Sequence, residues 1–178
     1  MGKYRKLGKP SDQRKALLRN QTTALLYNGR IITTEARAKE VRKMAEPIIA
    51  MAIKERDNTE EVTKTVRIPR KDVNGKRVKE VVDGKKRTVF DEQEQTFKKD
   101  LPSRLHAKRK MERILYPVVE VPAEMAGRKR NTKRVDLIQK IFDEYAPKYA
   151  DRKGGYTRII KIGPRKGDAA MQVVLELV

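Results

Sequence analysis

Charge falls along this chain in three blocks. Residues 1–56 carry fourteen basic and five acidic side chains, residues 57–103 twelve and ten, and residues 104–178 eighteen and nine. Each outer block is therefore +9 and the middle one +2. The ends are polyanion-binding material, while the middle has nearly the balance of an ordinary soluble surface. Such asymmetry separates a binding body, 1–56 with 104–178, from a segment inserted into it at 57–103. Apolar content sets a second limit. Leu, Ile, Val and Phe supply 41 of 178 residues, just above the roughly 20% below which a highly charged chain is usually disordered. One or two compact domains with a modest core fit these numbers.

Composition excludes several chemistries. There is no Cys, hence no disulfide scaffold, thiolate metal site or cysteine nucleophile. A single histidine, His106, cannot build a multi-histidine metal cage. The longest charge-free run, residues 20–29, has ten residues, against the roughly 18 that a membrane-spanning helix needs. The start, Met1-Gly2-Lys3-Tyr4-Arg5-Lys6, is basic without an apolar signal-peptide core, and Lys6 stands where a myristoylation motif wants Ser or Thr. The pI of about 10.2 points to nucleic acid. The expectation is a soluble, cytoplasmic protein with no membrane partner, small-molecule substrate or cofactor.

Local patterns predict the elements. After a basic, Gly/Pro-punctuated arm too polar to bury itself, a helix runs from Asp12 to Asn28, with Ser11 as N-cap and Gly29 as C′ residue. Leu17, Leu18, Ala24 and Leu25 form its apolar stripe. The β-branched run Arg30–Thr34 reads as a strand, and Thr34 caps a second helix, Glu35–Arg56, kinked at Pro47. In the middle block, Asn74-Gly75 and Asp83-Gly84 are hairpin-turn signals. The runs Val62–Ile68, Arg77–Val82 and Arg87–Phe90 around them predict a three-strand meander, with Asp91-Glu92-Gln93-Glu94 a solvated run before a helix. Helical periodicity returns after Pro102-Ser103, Tyr116–Ala123 reads as an extended connector, and a further helix spans Thr132–Tyr145 with Pro147 ending it. Two strands close the chain, Tyr156–Ile162 and Gln172–Leu177. In the second, Val173, Leu175 and Leu177 share one face.

Catalytic patterns are weak. His106 sits among cations with no relay partner, and the acidic residues are scattered. Gly163 to Gly167 encloses three residues and lacks a following Gly-Lys-Ser/Thr, so it is no P-loop. Basic clusters recur instead on every element outside the middle block: Lys3/Arg5/Lys6, Arg14/Lys15/Arg19, Arg37/Lys39/Arg42/Lys43, Lys108/Arg109/Lys110 and Arg128/Lys129/Arg130. Each alone is commonly a solvated face; five together exceed what solubility needs. Only nine aromatics occur, which argues against stacking on single strands and for phosphate and shape recognition of folded RNA.

Ordered motifs then carry a resemblance. Gly154-Gly155-Tyr156-Thr157-Arg158-Ile159, Lys161, Gly163, Arg165, Gly167-Asp168 and Leu175-Glu176-Leu177 closely resemble the signature of bacterial large-subunit ribosomal protein number seventeen. Tyr4-Arg5-Lys6-Leu7-Gly8, Arg14–Asn20, Ile32-Thr33-Thr34, Ala38–Arg42, Glu46-Pro47 and Leu105–Arg109 match the same family in order and spacing. Gln13 departs from its frequent His, and 57–103 has no counterpart in its shortest members. The resemblance implies an α+β fold, a small mixed three-stranded sheet packed on several helices, here with an inserted β-hairpin meander. It also implies a non-enzymatic role in binding large-subunit rRNA near the nascent-chain exit region, beside neighbouring large-subunit proteins. The alternatives are a free architectural nucleic-acid-binding protein and, less favoured, an RNA-processing enzyme.

On this reading the RNA contacts are Lys3, Tyr4, Arg5, Lys6 and Lys9 in the arm, and Arg14, Lys15 and Arg19 on the first helix. Arg37, Lys39 and Arg42 follow on the second, then Lys108 and Arg109, and Arg158, Lys161, Arg165 and Lys166 in the closing hairpin. Arg158 and Lys161 differ in strand parity, so without a bulge they leave the sheet on opposite faces. The insertion, with ten acidic residues, is expected to project away from RNA into solvent or toward another protein.

Overall fold

The computed structural model describes residues 4–73, 75–82, 84–121 and 132–178. Lys3, Asn74, Asp83 and the Arg128-Lys129-Arg130 cluster lie outside the described residues. The chain divides into two compact units, 1–57 with 102–178, and 58–101.

In the first unit, helix α1 spans Ser11–Asn28. Pro10, not Ser11, holds the cap position. Its fixed φ of −53° turns the chain into the helix, and its carbonyl accepts from the Arg14 N–H at 2.9 Å. Gly29 ends the helix at φ +78°, donating its N–H to the Leu25 carbonyl at 2.8 Å, the left-handed cap that glycine adopts without a Cβ clash. Strand β1 (Arg30–Thr34) leads directly into helix α2 (Glu35–Lys54), which runs through Pro47 and stops two residues short of the expected end. Helix α3 (Pro102–Ile114) follows the second unit.

The connector after α3 is not a plain extended link. Val118–Glu120 forms strand β6, paired antiparallel with β7, Lys133–Val135, so the start of the expected helix is strand. The helical run begins only at Leu137, where Asp136 caps α4 (Leu137–Lys140) by accepting the Gln139 N–H at 2.9 Å. It continues as a π-helical turn, Ile141–Tyr145, and a last turn α5, Ala146–Lys148, that includes Pro147. Proline is accommodated there just after the π-helical turn, where the Ala146 N–H bonds to the Ile141 carbonyl and the regular i→i−4 ladder is already interrupted.

The closing sheet has strand order β1-β9-β8, from β8 (Thr157–Pro164) and β9 (Met171–Leu177). Both pairings are antiparallel, which corrects the mixed sheet implied by the resemblance. The tight β8–β9 turn reverses β9. Its other edge meets β1 with Ile31 opposite Leu175 and Thr33 opposite Val173, a register that turns these four side chains toward the helices.

Two apolar clusters fill this unit. One lies between the sheet and the helices: Leu18, Leu25, Ala38, Val41, Ala45, Val173 and Leu175. The other gathers Leu26, Ile48, Ile49, Met111, Ile141, Phe142, Tyr145, Tyr149 and Tyr156, among others. Adjacent Leu25 and Leu26, both wholly buried, send one side chain into each. The tyrosine hydroxyls stay satisfied: Tyr145 donates to the Leu26 carbonyl at 2.7 Å, and Tyr149 to the Val178 carbonyl at 2.7 Å. Burial pushes the Tyr145 phenol up to about 12.

The second unit is a ribbon rather than a three-strand meander. Strands β2 (Thr59–Pro69) and β5 (Phe90–Asp100) pair along eleven residues each. Asp91–Glu94 is thus strand, not a solvated leader to a helix. At the tip, a turn at 72–76 and a hairpin of β3 (Lys79–Val82) with β4 (Lys85–Thr88) meet through Arg70, Val78 and Val89, whose backbones bond to one another. Gly75 at φ +73° and Gly84 at φ +71° make these reversals. Cross-strand ion pairs line the ribbon: Lys99–Glu60 at 2.7 Å, Arg67–Glu92 at 2.9 Å and Arg70–Asp91 at 2.8 Å.

Candidate nucleic-acid interface

The basic arm is anchored. Leu7 at φ +57° and Gly8 at φ +63° fold it back, and Leu7 packs against the cluster beneath the sheet. The arm stays exposed except at Leu7, its lone leucine, which is half-buried against that cluster. Tyr4, 56% exposed, is covered on one side by the Arg14 guanidinium, 4.1 Å from its ring centroid. That cation–π contact ties the arm to α1.

Anchoring brings arm, α2 and closing hairpin onto one surface. Arg5 lines a groove of about 370 Å³ with Lys39, Glu40, Arg42, Lys43 and Glu46. Here the α2 cations are held by acids one turn away: Lys39–Glu35 at 2.8 Å, Arg42–Glu46 at 3.0 Å and Lys43–Glu40 at 3.0 Å. Glu46 also accepts from the Thr157 hydroxyl at 3.0 Å, which fixes this helix face against β8. The Lys39 hydrogen bond, aided by the charges of Lys161 and Arg5, holds the Glu35 carboxyl below the usual carboxylate range. A second groove of about 470 Å³ joins Leu7, the first turn of α2 with Arg37, and the β8–β9 loop with Arg165 and Asp168.

The expected contacts separate into groups. Arg5, Lys6, Lys9, Lys15, Arg109 and Lys166 are exposed and make no ion pair with another described residue. Others are committed within the protein. The Arg19 guanidinium donates to the Ile114 carbonyl at 2.9 Å and lies 4.2 Å over the Tyr116 ring, joining α1 to the end of α3. Arg165 grips Asp168 through Nε at 2.8 Å and through a second, short guanidinium bond. That grip and the Ala170 N–H lower the Asp168 carboxyl to about 2. Lys108 is half-buried, 5.6 Å from the Phe142 ring.

The strand-parity expectation has a specific outcome. Arg158 lies opposite Glu176 and pairs with it at 3.7 Å, on the sheet face away from the helices. Lys161 lies opposite Val173 on the other face, and the register shifts only beyond it, before Gly163. Lys43 belongs to the α2 cluster but not to the contacts expected from sequence, and the structure adds it to the groove. Its position one helical turn after Lys39 is the signal that could have found it. His106 is exposed on α3, and among the described residues no helix is long and apolar enough to cross a membrane.

Comparison with known proteins finds similarity along nearly the whole chain. Residues 17–178 match the family model for ribosomal protein L17. The large ribosomal subunit protein bL17 of Lachnospira eligens is 66% identical over 178 residues, covering 100% of both chains. Those of Acetivibrio thermocellus, 45% identical over 183 residues and 100% of both chains, and Ruminiclostridium cellulolyticum, 48% over 179 residues and 98% of both, are also similar. The chain belongs to the ribosomal protein L17 family, and it is a structural ribosomal protein rather than an enzyme.

Proposed function

We propose that this structural constituent of the bacterial large ribosomal subunit binds folded large-subunit rRNA through the face built by its arm, α2 and β8–β9 loop. One observation carries the reading: three segments distant in sequence place Arg5, Lys39, Arg42 and Lys43 around one groove and Arg37 with Arg165 around the next. The mechanism is exchange of partners. The glutamates on α2 pre-position the cations; buried Glu40 keeps Lys43 in place, while the half-exposed i,i+4 pairs Lys39–Glu35 and Arg42–Glu46 contribute only about 0.3–0.5 kcal/mol each. A phosphate can therefore replace them at little cost, releasing counterions from the RNA.

Tyr4, Arg5, Lys6 and Lys9 extend this face along the arm, Lys15 along α1, and Lys161 and Lys166 along the hairpin, while Lys108 and Arg109 offer a separate contact from α3. Arg14, Arg19 and Arg165 act mainly by positioning the arm, α3 and the loop, given the partners they already hold. Arg158 is set apart by its pairing with Glu176. The insertion projects away from the RNA, a reading supported by its near balance of charge and the three cross-strand ion pairs along its stem. Neighbouring large-subunit proteins complete the environment, and the protein works in the cytoplasm.

The test is cosedimentation and binding together. The native protein should travel with large subunits on a sucrose gradient through moderate salt, and Arg42→Glu should weaken binding to deproteinised large-subunit rRNA fragments. Release at moderate salt would favour the free architectural protein instead.

A further inference from the structure

The face of the β1-β9-β8 sheet turned away from the helices carries an apolar row outside the proposed RNA face. Ile32, Val174 and Ile160 lie directly opposite one another across the three strands. Alternation assigns the opposite face to Thr33, Val173, Leu175 and Thr157, all buried. Ile32 is 68% exposed and Ile160 43%, and Ile162, two residues on in β8, is 55% exposed. An antiparallel sheet with one solvated face should alternate apolar in and polar out. A contiguous β-branched row on the outer face breaks that rule and marks an interaction surface.

Charge and size select the occupant. The adjacent row is Arg30–Glu176–Arg158, in which Arg158 pairs with Glu176 at 3.7 Å and Arg30 is exposed, one cation in excess. A phosphate backbone would find little free charge here, compared with the cations around α2, and the face has no aromatic ring on which a base could stack. Strand and row spacings give the patch on the order of 200 Å². That is far below the roughly 800 Å² per partner of a stable free complex, so a standalone dimer of this chain is not supported. A short extended segment, held in place elsewhere as well, fits both.

We propose that the outer face of the β1-β9-β8 sheet docks an extended segment of another large-subunit protein, its aliphatic side chains on the Ile32–Val174–Ile160 row and a carboxylate on Arg30. The proposal rests on the reading of the chain as a large-subunit constituent, not on which cations touch RNA.

A photocrosslinking phenylalanine analogue at position 32, incorporated in the full chain and carried into native large subunits, tests it. The expected product joins this protein to one ribosomal protein, at a short segment containing Asp or Glu. A crosslink to rRNA, a crosslink to a second copy, or no crosslink in assembled subunits overturns the proposal. In parallel, Ile32→Asp should lower occupancy in purified subunits by about tenfold, as loss of an interface anchor does, with rRNA-fragment affinity unchanged. Normal occupancy overturns the proposal, and so does a loss of RNA affinity matching that of Arg42→Glu. Unchanged RNA affinity in Arg42→Glu would instead sink the assigned RNA face and leave the sheet proposal to stand on its crosslink.

Discussion

The two units hold their ion pairs in different ways. Along the ribbon, Lys99–Glu60, Arg67–Glu92 and Arg70–Asp91 pair across strands, so each cation meets an acid brought from the other end of the segment. On α2, the acids Glu35, Glu40 and Glu46 sit one turn from their cations on the same helix, and Arg5 arrives with no acid of its own. The stem of the ribbon meets part of its charge across its own strands, while the body keeps an excess that needs an outside anion. The apolar side chains divide the same way. The body buries Leu25, Leu26, Ile48, Ile49 and Met111 completely, whereas the ribbon leaves Phe97 43% exposed and Val62, Val66 and Ile68 only half-buried. Equal-looking charge in a sequence thus means different things when its partners are local, cross-strand or missing.

Salt should separate the units most strongly. With roughly 6–10 phosphates neutralised by the body, rRNA affinity is expected to fall about 10³–10⁵-fold between 50 and 200 mM salt. A flat titration of the full chain would break the contrast. Core truncation comes next: Leu26→Ala should cost about 2–5 kcal/mol in denaturant unfolding, because a wholly buried leucine leaves a cavity. Val66→Ala in the half-buried ribbon should cost well under about 1.5 kcal/mol. Equal costs would mean that the ribbon has a core of its own.

Removing the ribbon should matter less to RNA than either change. Its ends are already joined, since the Leu101 N–H donates to the Asn58 carbonyl at 3.1 Å, so a short linker can replace residues 58–100. Affinity for rRNA fragments should stay within about threefold of the parent, the loss of at most one weak phosphate contact. A large loss from a still-folded deletion would make the insertion an RNA-contacting arm.

The smallest effect is expected at Asp168. Its folded pKa of about 2 lies below the ordinary carboxylate value, so the stabilisation of the loop is present above pH of about 4 and is lost as pH falls toward 2. Amide shifts of Ala170 should follow this titration, and Arg165→Ala should move the midpoint back up toward the ordinary value. An unshifted midpoint in the parent protein would free Arg165 for direct phosphate contact.

Several features of the fold are legible in the amino-acid sequence alone, for a shared reason. The span of β1, the first residue of α2 and the Gly29 cap depend on neighbours within four residues: β-branched runs, helical spacing, and the one residue type that enters the left-handed region freely. The family motifs are likewise linear. Even here a local competitor wins once, where Pro10 displaces Ser11 from the cap. The excess of positive charge on the outer blocks, and with it a polyanionic partner, also follows from composition alone.

What only the tertiary structure decides depends on residues far apart. Thr59 faces Asp100 and Pro69 faces Phe90, and no local pattern in Asp91–Glu94 could announce that partner strand. The same distance governs the candidate site. Arg19 and Arg165 read like Lys6 and Lys166 in sequence, yet the first two are held by Ile114 and Asp168 while the others stay exposed. The Ile32–Val174–Ile160 row is equally hidden. Each residue is an ordinary β-branched position in its own strand, and only the antiparallel register of β1, β9 and β8 sets all three side by side on the face away from the helices. Periodicity and total charge are legible in a linear chain because both are sums over near neighbours. Register and pairing, which decide whether a given side chain is occupied or available, emerge only when distant segments meet.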